Sequence, residues 1–299
     1  MAPNPSLQFV HQDQFFAPAR ERPQLWRLFV GLAVFLFSYV GFVAIMAVVM
    51  YPVLGPLNYF GWLSGLRVPS TPGHVLFLLF SFFGMMIGVF LATSACHGRS
   101  PLSLFGPIHY AIPDFLKTLL TLVPIYGVVG LYFLASSDSA PNLPLAQWLA
   151  LLPLALPLIL IQVTAEELLF RGYLPQQLAA RFKAQWVWML VPAIVFAALH
   201  YDGRSGVGAF SVLLTIFVFA VIAMDLTARA GSLGPAIALH FVNNCFALLV
   251  LSVPGTITGL SLFTAPFDIL SSAEVAKSAL LDLALLYLLW RLLKRSVSA

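Results

Sequence analysis

Apolar residues run along this chain in long blocks, parted by short stretches of charge, proline and glycine. A helix needs about 20 apolar residues to cross the hydrocarbon core of a bilayer. Eight blocks read as membrane spans: 27–50, 74–95, 112–135, 145–166, 186–200, 208–228, 233–253 and 277–293. The third opens on Asp114 and Lys117 and is interrupted by Pro124. The fifth is short and holds Pro192, a kink that a packed bundle tolerates. Turn residues separate the blocks at Leu54-Gly55-Pro56, Ser70-Thr71-Pro72-Gly73, Ser136 to Pro144 and Pro254-Gly255. No internal repeat is visible. The pattern predicts an all-α fold, a polytopic transmembrane helical bundle of about eight spans.

Composition agrees. The chain is 61% hydrophobic and 9% charged, with a mean hydropathy of +0.95, whereas a soluble domain has about 25% charged residues. A soluble globular protein is excluded. One membrane domain, 26–299, is expected behind a polar, proline-dotted cytoplasmic tail, 1–25, that is disordered or lies at the interface. The first apolar block is too long for the hydrophobic region of a cleavable signal peptide. The formal charge of +4 reads as loop anchors, not as a nucleic-acid footprint. With a cytoplasmic N-terminus, Arg20, Arg22, Arg27, Arg99, Lys117, Arg181, Lys183, Arg229, Arg291, Lys294 and Arg295 fall on the inner side. Arg67, Arg204 and Lys277 fall on the outer side. That bias predicts an even number of spans with both termini cytoplasmic; the expected location is the plasma membrane of a prokaryote. Cys96 and Cys245 have no CxxC spacing and lie in apolar surroundings, so they read as small apolar fillers.

Against this background the stretch Ala165-Glu166-Glu167-Leu168-Leu169-Phe170-Arg171-Gly172-Tyr173-Leu174-Pro175 stands out. A charged side chain at the centre of a membrane helix costs at least ~2.5–3.5 kcal/mol. Glu167 and Arg171 are four residues apart and can pair along one helix face, while Glu166 points about 100° away, towards a cavity. The fifth block ends on Phe196-Ala197-Ala198-Leu199-His200. The seventh holds His240-Phe241-Val242-Asn243-Asn244, with His240 and Asn244 one turn apart and Asn243 free to cap or pack.

Each group alone has a plain structural reading: a charged helix end, a hydrogen-bonded terminal histidine, or the interhelical polar contacts that hold membrane bundles. Together they match a hydrolytic toolkit. A carboxylate and a histidine can hold and deprotonate a water, and a second histidine and an asparagine can donate to an oxyanion. The same set could instead hold a divalent metal such as zinc, through Glu166, His200 and His240. Asparagine is a poor zinc ligand, which favours the oxyanion role for Asn244. No HExxH, Gx-Ser-x-Gly or glycine-rich phosphate loop is present.

Glu166-Glu167-x-x-x-Arg171, Phe196-x-x-x-His200 and His240-x-x-x-Asn244, in that order, resemble the motifs of the CAAX prenyl protease type II family, also called the ABI or CPBP intramembrane proteases. Gly231 to Ile237 resembles the lead into that family's last motif. The likeness covers about 165–245, inside a motif core of about 145–253. It implies a bundle with an intramembrane catalytic cavity. It implies that Glu166 and His200 activate water, that His240 and Asn244 stabilise the oxyanion, and that Glu167, Arg171 and Phe196 support them. A metalloprotease and a metal-free glutamate mechanism both agree with these residues.

Depth conflicts with this reading. At ~1.5 Å per residue, Glu166 lies ~32 Å along a fourth span that starts at Leu145. His200 lies ~22 Å from the inner surface, so the two cannot meet unless the boundaries in this region are wrong. The expected activity is an endopeptidase cleaving a membrane-associated peptide, either a lipidated C-terminus or a small secreted or bacteriocin-like peptide. The alternatives are a non-catalytic immunity or scaffold protein of the same fold, and a transporter using Glu166 and His200 as a proton relay.

Overall fold

The computed structural model describes residues 5–136 and 138–297, which form an all-α bundle. In order these are α1 (Pro5–Phe16), α2 (Leu25–Leu54), α3 (Pro56–Gly65), α4 (Pro72–Leu91), α5 (Ile108–Ser136) and α6 (Leu145–Glu167). They continue as α7 (Leu174–Arg181), α8 (Gln185–Ala198), α9 (Gly208–Ala230), α10 (Gly234–Cys245) and α11 (Ser272–Val297). Five helical units are long and apolar enough to cross a membrane: Leu25–Leu54, Pro72–Cys96, Ile108–Ala135, Leu145–Arg181 and Gly208–Ala230. Gln185–Ala198 and Gly234–Val250 are apolar but shorter. The eighth expected span lies inside α11, whose Glu274, Lys277, Asp282 and basic end keep it out of that group. The expected eight is therefore not reached by length and apolarity among the described residues.

Two boundaries differ from expectation. Residues 5–16 are helical rather than disordered, and Phe15, Phe16 and Ala19 are buried against α7 and α9. Apolar burial of this kind overrides the polar composition of the segment. Second, the fourth span does not stop at Glu166. After Glu167 the helix widens into a π-helical segment, Leu168–Tyr173, and runs on as α7. The result is one rod of 37 residues, Leu145–Arg181, or about 55 Å at ~1.5 Å per residue. A short turn at 182–184 then returns the chain as α8. Glu166 sits fifteen residues before Arg181 and His200 fifteen after Gln185, so each is about 22 Å from the turn. The depth conflict disappears with the boundary that created it.

α10 is the centre of the bundle, packed against α5, α6 and α9. Every residue from Gly234 to His240 is buried. Small residues make this close approach possible: a Cβ added at Gly234 would fall on the Ala111 carbonyl of α5. The turn before α10 is pinned to the same region, with the Ser232 hydroxyl donating to Asp114 at 2.7 Å and the Leu233 N–H to the Phe105 carbonyl at 3.0 Å. Gly231, at φ +67°, supplies the left-handed residue that ends α9. Beyond α10 the chain forms two-residue strands, β2 (Leu251–Ser252) and β3 (Phe263–Thr264), which join β1 (Ala140–Pro141) in the order β1-β3-β2.

Candidate functional site

The α6–α7 rod, the end of α8 and α10 bring the predicted groups together midway along the bundle. Glu166 is 7% exposed, Glu167 0%, Arg171 1% and His240 4%. His240 lies between the two carboxylates, its Nδ1 2.7 Å from Glu167 Oε1 and its Nε2 3.5 Å from Glu166 Oε2. An ionised carboxylate only accepts, so Nδ1–H donates to Glu167 and Nε2 faces Glu166. The pair expected from the four-residue spacing is present: Arg171 Nη1 is 3.0 Å from the same Glu167 oxygen. That contact is an ion pair by distance without hydrogen-bond direction, and both Arg171 terminal nitrogens lack a hydrogen-bond partner. The guanidinium instead lies 4.2 Å from the centre of the Phe196 ring and 5.6 Å from that of Phe219, which compensates its charge through the ring faces.

Glu166 Oε2 and Glu167 Oε2 are buried without a hydrogen-bond partner in the protein. A buried carboxylate oxygen is costly in that state and calls for a partner beyond the protein's own donors. Asn244 joins from one turn beyond His240, its Nδ2 donating to Gln162 Oε1 at 2.8 Å. An amide nitrogen has two hydrogens, so one stays available. Asn243 accepts from the Tyr126 hydroxyl at 3.1 Å. His200 stands at the edge: Nδ1 is 2.7 Å from the Phe196 carbonyl, which can only accept, so Nε2 carries the free lone pair. Its ring is 4.6 Å from that of Phe196, which is 6.1 Å from that of His240. No hydrogen bond or ion pair joins His200 to Glu166 or His240 among the described residues.

The expected cavity is not open at the glutamates, which are 7% and 0% exposed, and the Phe196 and Phe219 rings pack on Arg171 and His240 beside them. Exposure rises outward, from Glu167 and His240 through Asn244 to His200, so the site is approached from the His200 side. A metal does not fit these positions. His240, Glu166 and Glu167 meet but are not arranged to hold a metal ion among the described residues, and the Arg171 guanidinium already pairs with Glu167 where a cation would balance it. Gln162, Phe219 and Tyr126 belong to the site without having been read from the sequence. Gln162 left a signal, a polar residue one turn before Glu166 in an apolar helix.

Fold and site define an integral membrane protein with a buried Glu–His–Arg centre and Asn244 beside it, half-buried. Residues 147–246 match the family model described as type II CAAX prenyl endopeptidase, Rce1-like, so the resemblance carried by the three motifs is borne out over that stretch. YyaK of Bacillus subtilis strain 168, described as uncharacterized, is 24% identical over 269 residues, covering 84% of this chain and 87% of its own length. No solved structure matches the chain.

Proposed function

We propose that this protein is an intramembrane endopeptidase that hydrolyses a peptide bond of a membrane-associated or lipidated peptide with a Glu/His-activated water. The observation that carries the reading is the unpartnered, buried Oε2 of Glu166 facing His240 Nε2 at 3.5 Å. A water beside that oxygen has a proton acceptor, while the Arg171 guanidinium pairs with Glu167 instead. In this reading Glu166 takes the water's proton during attack on the scissile carbonyl and delivers it to the leaving amine. His200 assists from Nε2, and the free N–H of Asn244 donates to the oxyanion. For His240 to donate there too, it must carry both ring hydrogens, since Nδ1–H is committed to Glu167. Glu167 and Arg171 hold that ring in place.

The family description supports a peptide substrate. The Lys/Arg bias and a bacterial relative support a prokaryotic plasma membrane with both termini cytoplasmic. The test is cleavage of lipidated and unlipidated peptides by purified protein, wild type against Glu166→Ala and Glu166→Gln, with and without a strong chelator. We expect both variants to lose at least ~100-fold in rate, the lower range for a general base, and chelation to leave the wild type unchanged. Undiminished cleavage in Glu166→Ala removes Glu166 from the mechanism. Loss on chelation with rescue by zinc assigns a metal. No cleavage of any peptide favours the non-catalytic immunity or scaffold reading.

A further inference from the structure

At the end of the bundle where α7 turns into α8, four basic side chains gather on the loop after α4 with no acid among them. Arg27 Nη1 donates to the Cys96 carbonyl at 2.7 Å. The Arg22 guanidinium lies over Gly98, where a Cβ would meet its Nη1 at 2.5 Å and its Cζ at 2.7 Å, and where φ is +63°. Arg99 Nη1 donates to Gln176 Oε1 at 2.6 Å and to Ser103 Oγ at 2.9 Å. His97, buried, sits between, with Nε2 2.9 Å from the Tyr173 hydroxyl. Three permanent cations therefore meet within one turn of backbone.

None of them is neutralised. The ion pairs among the described residues are Arg20–Asp13, Arg171–Glu167, Arg204–Asp202, Arg229–Asp225, Lys277–Glu274 and the His240 contacts, and none includes Arg22, Arg27 or Arg99. Arg99 Nε and Nη2 are buried and have no hydrogen-bond partner at all. Guanidinium is a five-donor fork matched to phosphate and carboxylate oxygens, so two idle, buried donors on it describe half of an anion site. The cluster also lies at a set depth. It joins the first residues of α2 to the end of the Pro72–Cys96 unit, and Trp26, 58% exposed, lies 4.6 Å from the Arg27 guanidinium. Exposed tryptophan at a span end marks the headgroup layer, where basic pockets between helices bind lipid phosphates.

We propose that Arg22, Arg27 and Arg99, around His97, form a binding site for a phosphate-bearing anion at the membrane boundary, separate from the Glu166 centre. The shared chemistry is a phosphate oxygen set received by Arg99 Nε and Nη2 and flanked by Arg22 and Arg27. The source is either an anionic phospholipid headgroup or a free phosphate. Thermal unfolding of purified protein in a neutral detergent, titrated with dioctanoyl phosphatidylglycerol, dioctanoyl phosphatidylcholine or inorganic phosphate, tells them apart.

We expect saturable stabilisation by phosphatidylglycerol that exceeds that by phosphatidylcholine. In R22Q/R27Q its apparent affinity should fall about 30-fold, from about 1 kcal/mol per arginine near a lipid surface. Stabilisation by phosphatidylglycerol alone assigns a lipid headgroup; a matching effect of inorganic phosphate assigns an open phosphate site. No stabilisation, equal effects of the two lipids, or an unchanged titration in the double variant overturns the proposal and leaves the cluster an internal clasp. Native mass spectrometry of the wild type needs no variant: one phosphatidylglycerol retained through washes in neutral lipid supports the site, and none retained overturns it.

Discussion

One carboxylate oxygen, Glu167 Oε1, both accepts from His240 and pairs with Arg171, so the His240 ring is held by a fully buried charge pair. Removing one member leaves the other uncompensated, at a cost of about 3–5 kcal/mol. Arg171→Leu is therefore expected to lower unfolding stability in detergent by that order, and a variant as stable as wild type would show the pair to be dispensable. Gln162→Leu is expected to act differently. It keeps volume and fold but frees the Asn244 amide to rotate, so kcat should fall by up to about 100-fold, the low end for outright loss of an oxyanion donor, with KM little changed; a rise in KM alone would show that Gln162 serves binding. The charged residues of this site were legible because charge is conspicuous in an apolar helix. Tyr126 and Phe219 were not, because an aromatic residue in a membrane helix carries no mark of what it touches until the partner helix is placed.

Among the elements, α10 depends on a backbone contact. Gly234 lets its first turn rest against α5, and the obstacle to any side chain there is the Ala111 carbonyl, which cannot swing aside. Gly234→Ala should displace α10 and His240 with it, costing about 1–3 kcal/mol, as overpacking does, together with most of the activity; a stable, active variant would mean that α5 yields. The helices themselves were readable from apolar periodicity and the turn residues. Their ends were not. The π-helical segments Ala92–Cys96, Leu168–Tyr173 and Phe246–Val250 leave no compositional trace, since a wider hydrogen-bonded turn uses the same apolar residues as a normal one. That is why the Glu pair read as a helix end when it lies inside a continuous rod. The short α3 was missed for a related reason: ten residues beginning at Pro56 look like a linker.

Across the whole molecule, His97 ties the end of the α4 unit to the rod through Tyr173. Burial, and then the charge of Arg99, push its imidazole down to about 4, from an ordinary value of about 6.5. Between those values the unfolded chain binds a proton that the folded protein refuses, so stability should fall as pH drops from about 6.5 towards 4. Melting temperature across that window should show the decline, and His97→Gln, which keeps a hydrogen-bonding side chain but does not titrate, should flatten it; an identical slope would assign the acid sensitivity elsewhere. The rod has a further consequence. At about 55 Å it outreaches a hydrocarbon core of about 30 Å, and the Glu166 centre lies about 22 Å from one end and 32 Å from the other. A helix longer than its solvent leans, and the angle follows the acyl chains around it. Hydrophobic mismatch would then set how deep the scissile bond must be carried. If the chain cleaves peptides as proposed, its rate in vesicles of increasing acyl length should pass through a maximum rather than stay level, with lipid thickness acting as an adjustable depth gauge.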